Sequence, residues 1–194
     1  MKSRAQLVLA GWIASAAWTT AATAQPRAID TGKSVMTVHV YKAGLLSAMG
    51  HNHEIAAPVA SGTVDVSAKK VELQVHARAL EVRDPGVSDK DRAEIQSNML
   101  GKQVLDAEGS PEIVFRSTSA EAAGAGLWKV TGNLTLRGQT HAVVLQVRED
   151  GEHYTGTVPL KQTSFGIQPI KVAGGTVRVK DEIRIEFNIQ LTHL

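Results

Sequence analysis

The chain has 194 residues, no cysteine, and 21 Lys+Arg against 19 Asp+Glu, a formal net charge of +2. Without cysteine there are no disulfides and no thiolate metal sites. Lys2 and Arg4 account for the basic surplus, and the remaining 19 cations match the 19 anions, so there is no electrostatic footprint for nucleic acid or an anionic membrane.

Residues 1–24 are laid out as a cleaved secretory signal. Lys2 and Arg4 form a positive n-region, an apolar run follows from Leu7 through Trp12 and Ile13 to Trp18, and the small residues of Ala22-Thr23-Ala24 precede Gln25. The run is too short to cross a bilayer comfortably, and no later segment is apolar enough to try. Export is therefore expected, with no transmembrane segment after cleavage. Residues 25–194 are expected to form one domain, long enough for a single core.

Along that domain the dominant signal is alternation of apolar and polar residues, the mark of a strand with one buried and one wet face. It predicts strands at 34–42, 62–66, 71–78, 112–119, 128–137, 140–149, 153–160, 176–180 and 183–192. The last is the cleanest: Ile183, Ile185, Phe187, Ile189 and Leu191 alternate with polar residues without a fault. Gly-containing turns such as Arg137-Gly138-Gln139 separate many of them, which argues for an antiparallel sheet. Residues 120–126 are expected to be a hairpin loop.

Two segments depart from this pattern. The first is Gly50-His51-Asn52-His53-Glu54-Ile55. As a strand it puts His51, His53 and Ile55 on one face. If Ile55 points inward, both histidines line a cavity mouth. Two imidazoles at i, i+2 can chelate Zn or Cu, but such sites want three or four ligands, with His39, His141 or Glu54 as the candidates for a third. The alternatives are an exposed polar loop or histidines bonded to a ligand head group. His76 and His153 fall on polar faces. The second segment begins with Ser88-Asp89-Lys90-Asp91, a capping box after the Pro85-Gly86 break. Ile95, Met99, Leu100 and Val104 follow at helical spacing, so one short amphipathic helix of about three turns is expected, placed to cap an open barrel end.

The reading is thus an all-β fold of about eight antiparallel strands with one helix. A sandwich and a closed barrel both hide the sheet edges, and periodicity does not choose between them. A catalytic signature is absent: there is no G-x-S-x-G elbow, no H-E-x-x-H helix and no phosphate-cradling glycine loop, so an enzyme is not expected. Asp89 and Asp91 are explained by the helix start.

The segment Gly132-Asn133-Leu134-Thr135-Leu136-Arg137-Gly138-Gln139-Thr140 resembles the "G-x-L-T-x-R-G-x-T" signature of the YceI-like family. Ile29-Asp30 with Ser34, Arg83-Asp84 ahead of the helix, Leu105-Asp106 with Pro111 to Ser117, Phe165-Gly166-Ile167 and the alternating last strand fall in that family's order. The chain departs from it at Gln162 and Ser164, where the family carries charges, and at Val104 and Ser110, where it carries aromatics; only 4% of the residues are aromatic.

This resemblance implies a lipocalin-like antiparallel β-barrel, a periplasmic location, and an apolar tunnel holding an isoprenoid or fatty-acid-type lipid. The candidate lining residues are Val38, Leu73, Val75, Phe115, Leu134, Leu136, Phe165, Phe187 and Ile189, with His51 and His53 at the mouth. The expected function is sequestration or carriage of that apolar small molecule. The alternatives are a periplasmic metal-binding stress protein using His51 and His53, and a structural or interaction domain with a filled core. An exposed edge or barrel mouth leaves room for a homodimer, although the sequence carries no interface signal.

Overall fold

The computed structural model describes residues 25–43, 52–172 and 177–193. The expected signal segment and His51 lie outside these residues. The strands are β1 (Arg27–Ala28), β2 (Val35–Ala43), β3 (His53–Ala56), β4 (Ser61–Asp65), β5 (Lys70–His76), β6 (Glu81–Val82), β7 (Glu112–Gly124), β8 (Leu127–Leu136), β9 (Gln139–Asp150), β10 (His153–Lys161), β11 (Lys171–Val172) and β12 (Val177–Gln190), with helix α1 (Asp89–Leu100) between β6 and β7. All pair antiparallel in one curled, barrel-like sheet of order β1-β4-β5-β7-β8-β9-β10-β12-β2-β3-β6, with β11 added on β12.

The alternating segments become the long walls of this sheet. Tight hairpin turns join β7–β10, with the β7–β8 register shifting between Ser117 and Ser119 and again between Ala122 and Gly124. At β8–β9 the turn is Arg137-Gly138, both at positive φ (51° and 70°), as a two-residue I′ hairpin requires. The Arg137 side chain donates to the carbonyls of Gly166 and Lys102, at 2.8 and 2.9 Å, tying this turn to two neighbouring segments.

Three expectations are corrected in detail. Residues 120–126 are mostly strand: β7 runs to Gly124 and only Ala125-Gly126 turns. Pairing of Glu121 with Lys129 and Ala122 with Trp128 overrides the weak strand preference of these small residues. The two strands expected at 176–180 and 183–192 are one 14-residue strand, β12, with an irregularity between Val179 and Ile183. The extra residues are held there by the turn at Gln162–Phe165: Asp181 accepts from the Thr163 N–H and hydroxyl, both at 2.8 Å, and the Lys180 carbonyl accepts from Gln162. Val104, expected on the helix, lies beyond it, because α1 ends where Gly101 turns extended. The helix starts as expected, with the Ser88 hydroxyl accepting from the Asp91 N–H at 3.1 Å.

The N-terminal segment closes one side of the wall. Arg27 and Ala28 pair with Val64 and Thr63 of β4, and the next residue, Ile29, bridges Leu191 just past β12. Arg27 then bonds Glu152 at 2.5 Å and also reaches the Thr192 carbonyl. Two apolar clusters fill the ends. Ile95, Met99 and Leu100 of α1 pack with Leu105, Phe165 and Ile167 at one end, and Ile29, Val59, Val64 and Leu191 pack at the other.

Candidate functional site

Between the two clusters the inward faces of the sheet leave a cavity of about 270 Å³, near the lower end of the roughly 300–1,000 Å³ common for small-molecule pockets. Its lining follows from strand parity. Val38 and Val40 on β2, Leu73 and Val75 on β5, Phe115 on β7, Leu134 and Leu136 on β8, and Phe187 and Ile189 on β12 all face it, and Phe165 closes one end. The nine apolar residues named from the sequence are therefore brought to one surface. The polar residues that line the cavity sit at its ends: Lys161 and Gln162 beside Phe165, and Asp65, Lys69, Lys70, Glu149 and Tyr154 at the opposite end.

Two glycines shape the interior. A Cβ on Gly132 would lie 2.5 Å from the Phe115 ring, and one on Gly156 would lie 2.6 Å from the Phe187 ring. Each glycine sits at an inward position, so each ring lies over a neighbouring strand's backbone instead of filling the lumen. Any side chain there would meet that ring and also a neighbouring strand's carbonyl, that of Arg116 at Gly132 and that of Gln146 at Gly156, so the ring would be pushed toward the cavity and the strand displaced. Gly132 is also the first glycine of the G-x-L-T-x-R-G-x-T segment, which gives that position a packing reason.

The histidines behave differently from one another. His53 lies on the same side of β3 as buried Ile55, but its Nδ1 is 2.5 Å from Asp84 Oδ2 and it does not line the cavity. Asp84 is 2% exposed, and its other oxygen accepts from the Glu54 N–H at 2.7 Å. A buried carboxylate needs donors, and His53 and the β3 backbone supply them. His39 lies on the outer face between Glu186 (3.6 Å) and Glu54 (4.0 Å). His141 packs edge-on against Phe165. His76 pairs with Glu112 at 2.9 Å, and His153 lies 3.4 Å from Asn188 Oδ1. Among the described residues no three His, Asp or Glu side chains gather in a metal-holding group.

Sequence reasoning missed a polar group at the cavity end away from α1. Glu149 Oε2 accepts from Trp128 Nε1 at 2.6 Å, and Oε1 accepts from the Tyr154 hydroxyl at 3.2 Å. All three residues are half-buried and line the cavity. Burial, with the Glu149 carboxylate beside it, pushes the Tyr154 phenol up to about 12. The phenol thus stays protonated at neutral pH and donates. The signal was present in the alternation: Val143, Leu145, Val147 and Glu149 share one face of β9, so Glu149 is an acid on an apolar face.

Comparisons with known proteins agree on this architecture. A UPF0312 protein of Vibrio cholerae is 28% identical over 132 residues, which are 63% of this chain and 64% of that protein, so the chain spans a little under two thirds of that relative's length. A UPF0312 protein of Yersinia pestis is 32% identical over 93 residues, 48% of this chain and 44% of that protein. Among solved structures, Burkholderia cenocepacia BcnA superposes with a TM-score of 0.64 at 21% identity, covering 84% of this chain and 99% of that one. The Campylobacter jejuni YceI protein does so with a TM-score of 0.50 at 14% identity, covering 65% and 74%. Against protein-family descriptions, residues 28–191 match the YceI-like domain, and the chain belongs to that family.

Proposed function

We propose that this protein is exported to the periplasm and there sequesters or carries an apolar, chain-like molecule of the isoprenoid or fatty-acid type inside the sheet. The observation that carries this reading is the unbroken apolar lining from Phe165 to Val147, with every polar lining residue confined to an end. A hydrocarbon chain moved from water into such a lining is stabilised by about 0.8 kcal/mol per CH₂. Export fits this role, since a long hydrocarbon does not cross an aqueous compartment unaided. The reading is of binding without chemistry: His53 is engaged with Asp84, and the one hydroxyl–carboxylate pair on the lining among the described residues, Tyr154 with Glu149, has its phenol pushed up to about 12 and so held protonated as a donor.

Organic extraction of the purified protein followed by mass spectrometry tests the reading. A stoichiometric apolar molecule is expected. A protein that yields none, and that also fails to take up the neutral dye N-phenyl-1-naphthylamine, would overturn it. Leu134→Glu places a charge on the lining and is expected to abolish dye uptake in protein whose circular dichroism is unchanged.

Metal binding through His53 is a second reading. The Asp84 bond to Nδ1 leaves Nε2 directed away from the carboxylate, the arrangement that orients metal-ligating histidines. Elemental analysis separates it from the first, since absence of stoichiometric Zn or Cu removes it.

A further inference from the structure

We infer that Glu149, Trp128 and Tyr154 form a head-group site at the cavity end away from α1, for an amphiphile whose polar end donates hydrogen bonds: an alkyl amine or alcohol rather than a carboxylate or phosphate. The inference rests on the proposed chain-binding function and specifies which molecules that cavity prefers.

Three observations carry it. First, the site is continuous with the apolar lining, since Glu149 follows Val143, Leu145 and Val147 on the inward face of β9, and Trp128 and Tyr154 flank it from β8 and β10. A chain lying along the lumen brings its terminus to this carboxylate.

Second, Glu149 is held by neutral donors alone, one indole N–H and one phenol O–H, and makes no ion pair with a described residue. Nearby Glu152, by contrast, is paired with Arg27. A carboxylate offers about four lone-pair sites, so acceptor capacity is left over and faces the lumen. The other acid at this end, Asp65, is engaged in its own hairpin: it accepts from Ser67 Oγ and the Ala68 N–H, both at 2.7 Å.

Third, the charges argue against an anion. A carboxylate or phosphate head would come to rest beside Glu149 in low-dielectric surroundings, where like charges repel strongly. Lys69 and Lys70 line the rim but are exposed, and Arg27, whose charge reaches Tyr154, is taken up by Glu152 and the Thr192 carbonyl. The indole and phenol rings add faces that attract an ammonium group.

Three C16 amphiphiles of one chain length test this. Hexadecylamine, hexadecanol and palmitate, each below its solubility or micelle limit, compete with N-phenyl-1-naphthylamine for the purified protein. Wild type is expected to favour the amine over palmitate by about tenfold or more, with the alcohol between. Glu149→Gln should bring that ratio to within about threefold, and Tyr154→Phe, which keeps the ring and the packing, should reduce it in the same direction. Glu121→Gln removes the same charge from the exposed outside of that end and should leave the ratio unchanged. Palmitate binding as tightly as the amine, or a ratio that survives in Glu149→Gln, would overturn the head-group site while leaving chain binding intact. Failure of the dye and all three amphiphiles to bind would instead overturn the chain-binding reading.

Discussion

Each end of the barrel holds an inward-placed carboxylate, and the two are treated differently. Asp84, near α1, is buried and does not line the cavity: the β3 backbone and His53 take its oxygens, and the Arg83 N–H extends the same junction by bonding the Glu54 carbonyl at 2.7 Å. Glu149, at the other end, is half-buried and bonded by two neutral side chains that themselves line the cavity. The first carboxylate is consumed by the fold, stapling β3 to the segment that leads into α1. The second keeps acceptor capacity where a ligand can reach it. An acid on an inward face is therefore not by itself a site: each carboxylate accepts one bond per oxygen, and what distinguishes the two is that Glu149 lines the cavity while Asp84 is buried away from it.

The largest test of this contrast is Asp84→Ala. It strips partners from the half-buried His53 imidazole and the Glu54 N–H and leaves a small void where a buried carboxylate stood, and a loss of about 3 kcal/mol in urea unfolding is expected. Glu149→Gln should change stability by less than about 1 kcal/mol, because the amide oxygen still accepts from the Trp128 indole and the amide NH₂ can donate to the Tyr154 oxygen. Equal losses at the two positions would erase the distinction. Next is Gly132→Ala, whose Cβ meets the Phe115 ring: about 1–3 kcal/mol of overpacking cost is expected, together with weaker dye binding as the ring moves into the lumen. Ser88→Ala removes the N-cap of α1 and should cost about 1 kcal/mol without altering dye affinity.

The smallest effect is in pH. The Arg27 hydrogen bond is the main cause holding the Glu152 carboxyl below its ordinary range, with desolvation opposing it. A depressed folded pKa contributes stability that is present above the unfolded value and is lost as pH falls through the folded one. Acid below the ordinary Glu value of 4.5 should therefore loosen the closure between the N-terminal segment and β12, seen as faster amide exchange at Ile29 and Leu191 relative to their intrinsic rates. Glu152→Gln should flatten that acid dependence, and an unchanged profile would show that this pair does not hold the closure.

Much of the fold was readable because strand parity is a strictly local property. The alternation in β5, β8, β9 and β12 is enough to assign the apolar lining to one face of the sheet, and the Ser88 cap locates the helix. What escaped was set by distant partners. The length of β7 depends on pairing with β8. The continuity of β12 depends on Asp181 holding the turn at Gln162–Phe165. The role of His53 depends on Asp84, 31 positions away in the chain.

By itself, the sequence determined a nearly charge-balanced, cysteine-free, antiparallel β domain with one short helix and an apolar inner surface, because periodicity, capping and composition act over a few residues. Only the tertiary structure decided that the rings of Phe115 and Phe187 lie over glycines and leave a cavity, that Asp84 is buried against β3, and that Glu149 lines the cavity. Those outcomes depend on which side chains meet across the sheet, and register and curvature arise only when the strands pair.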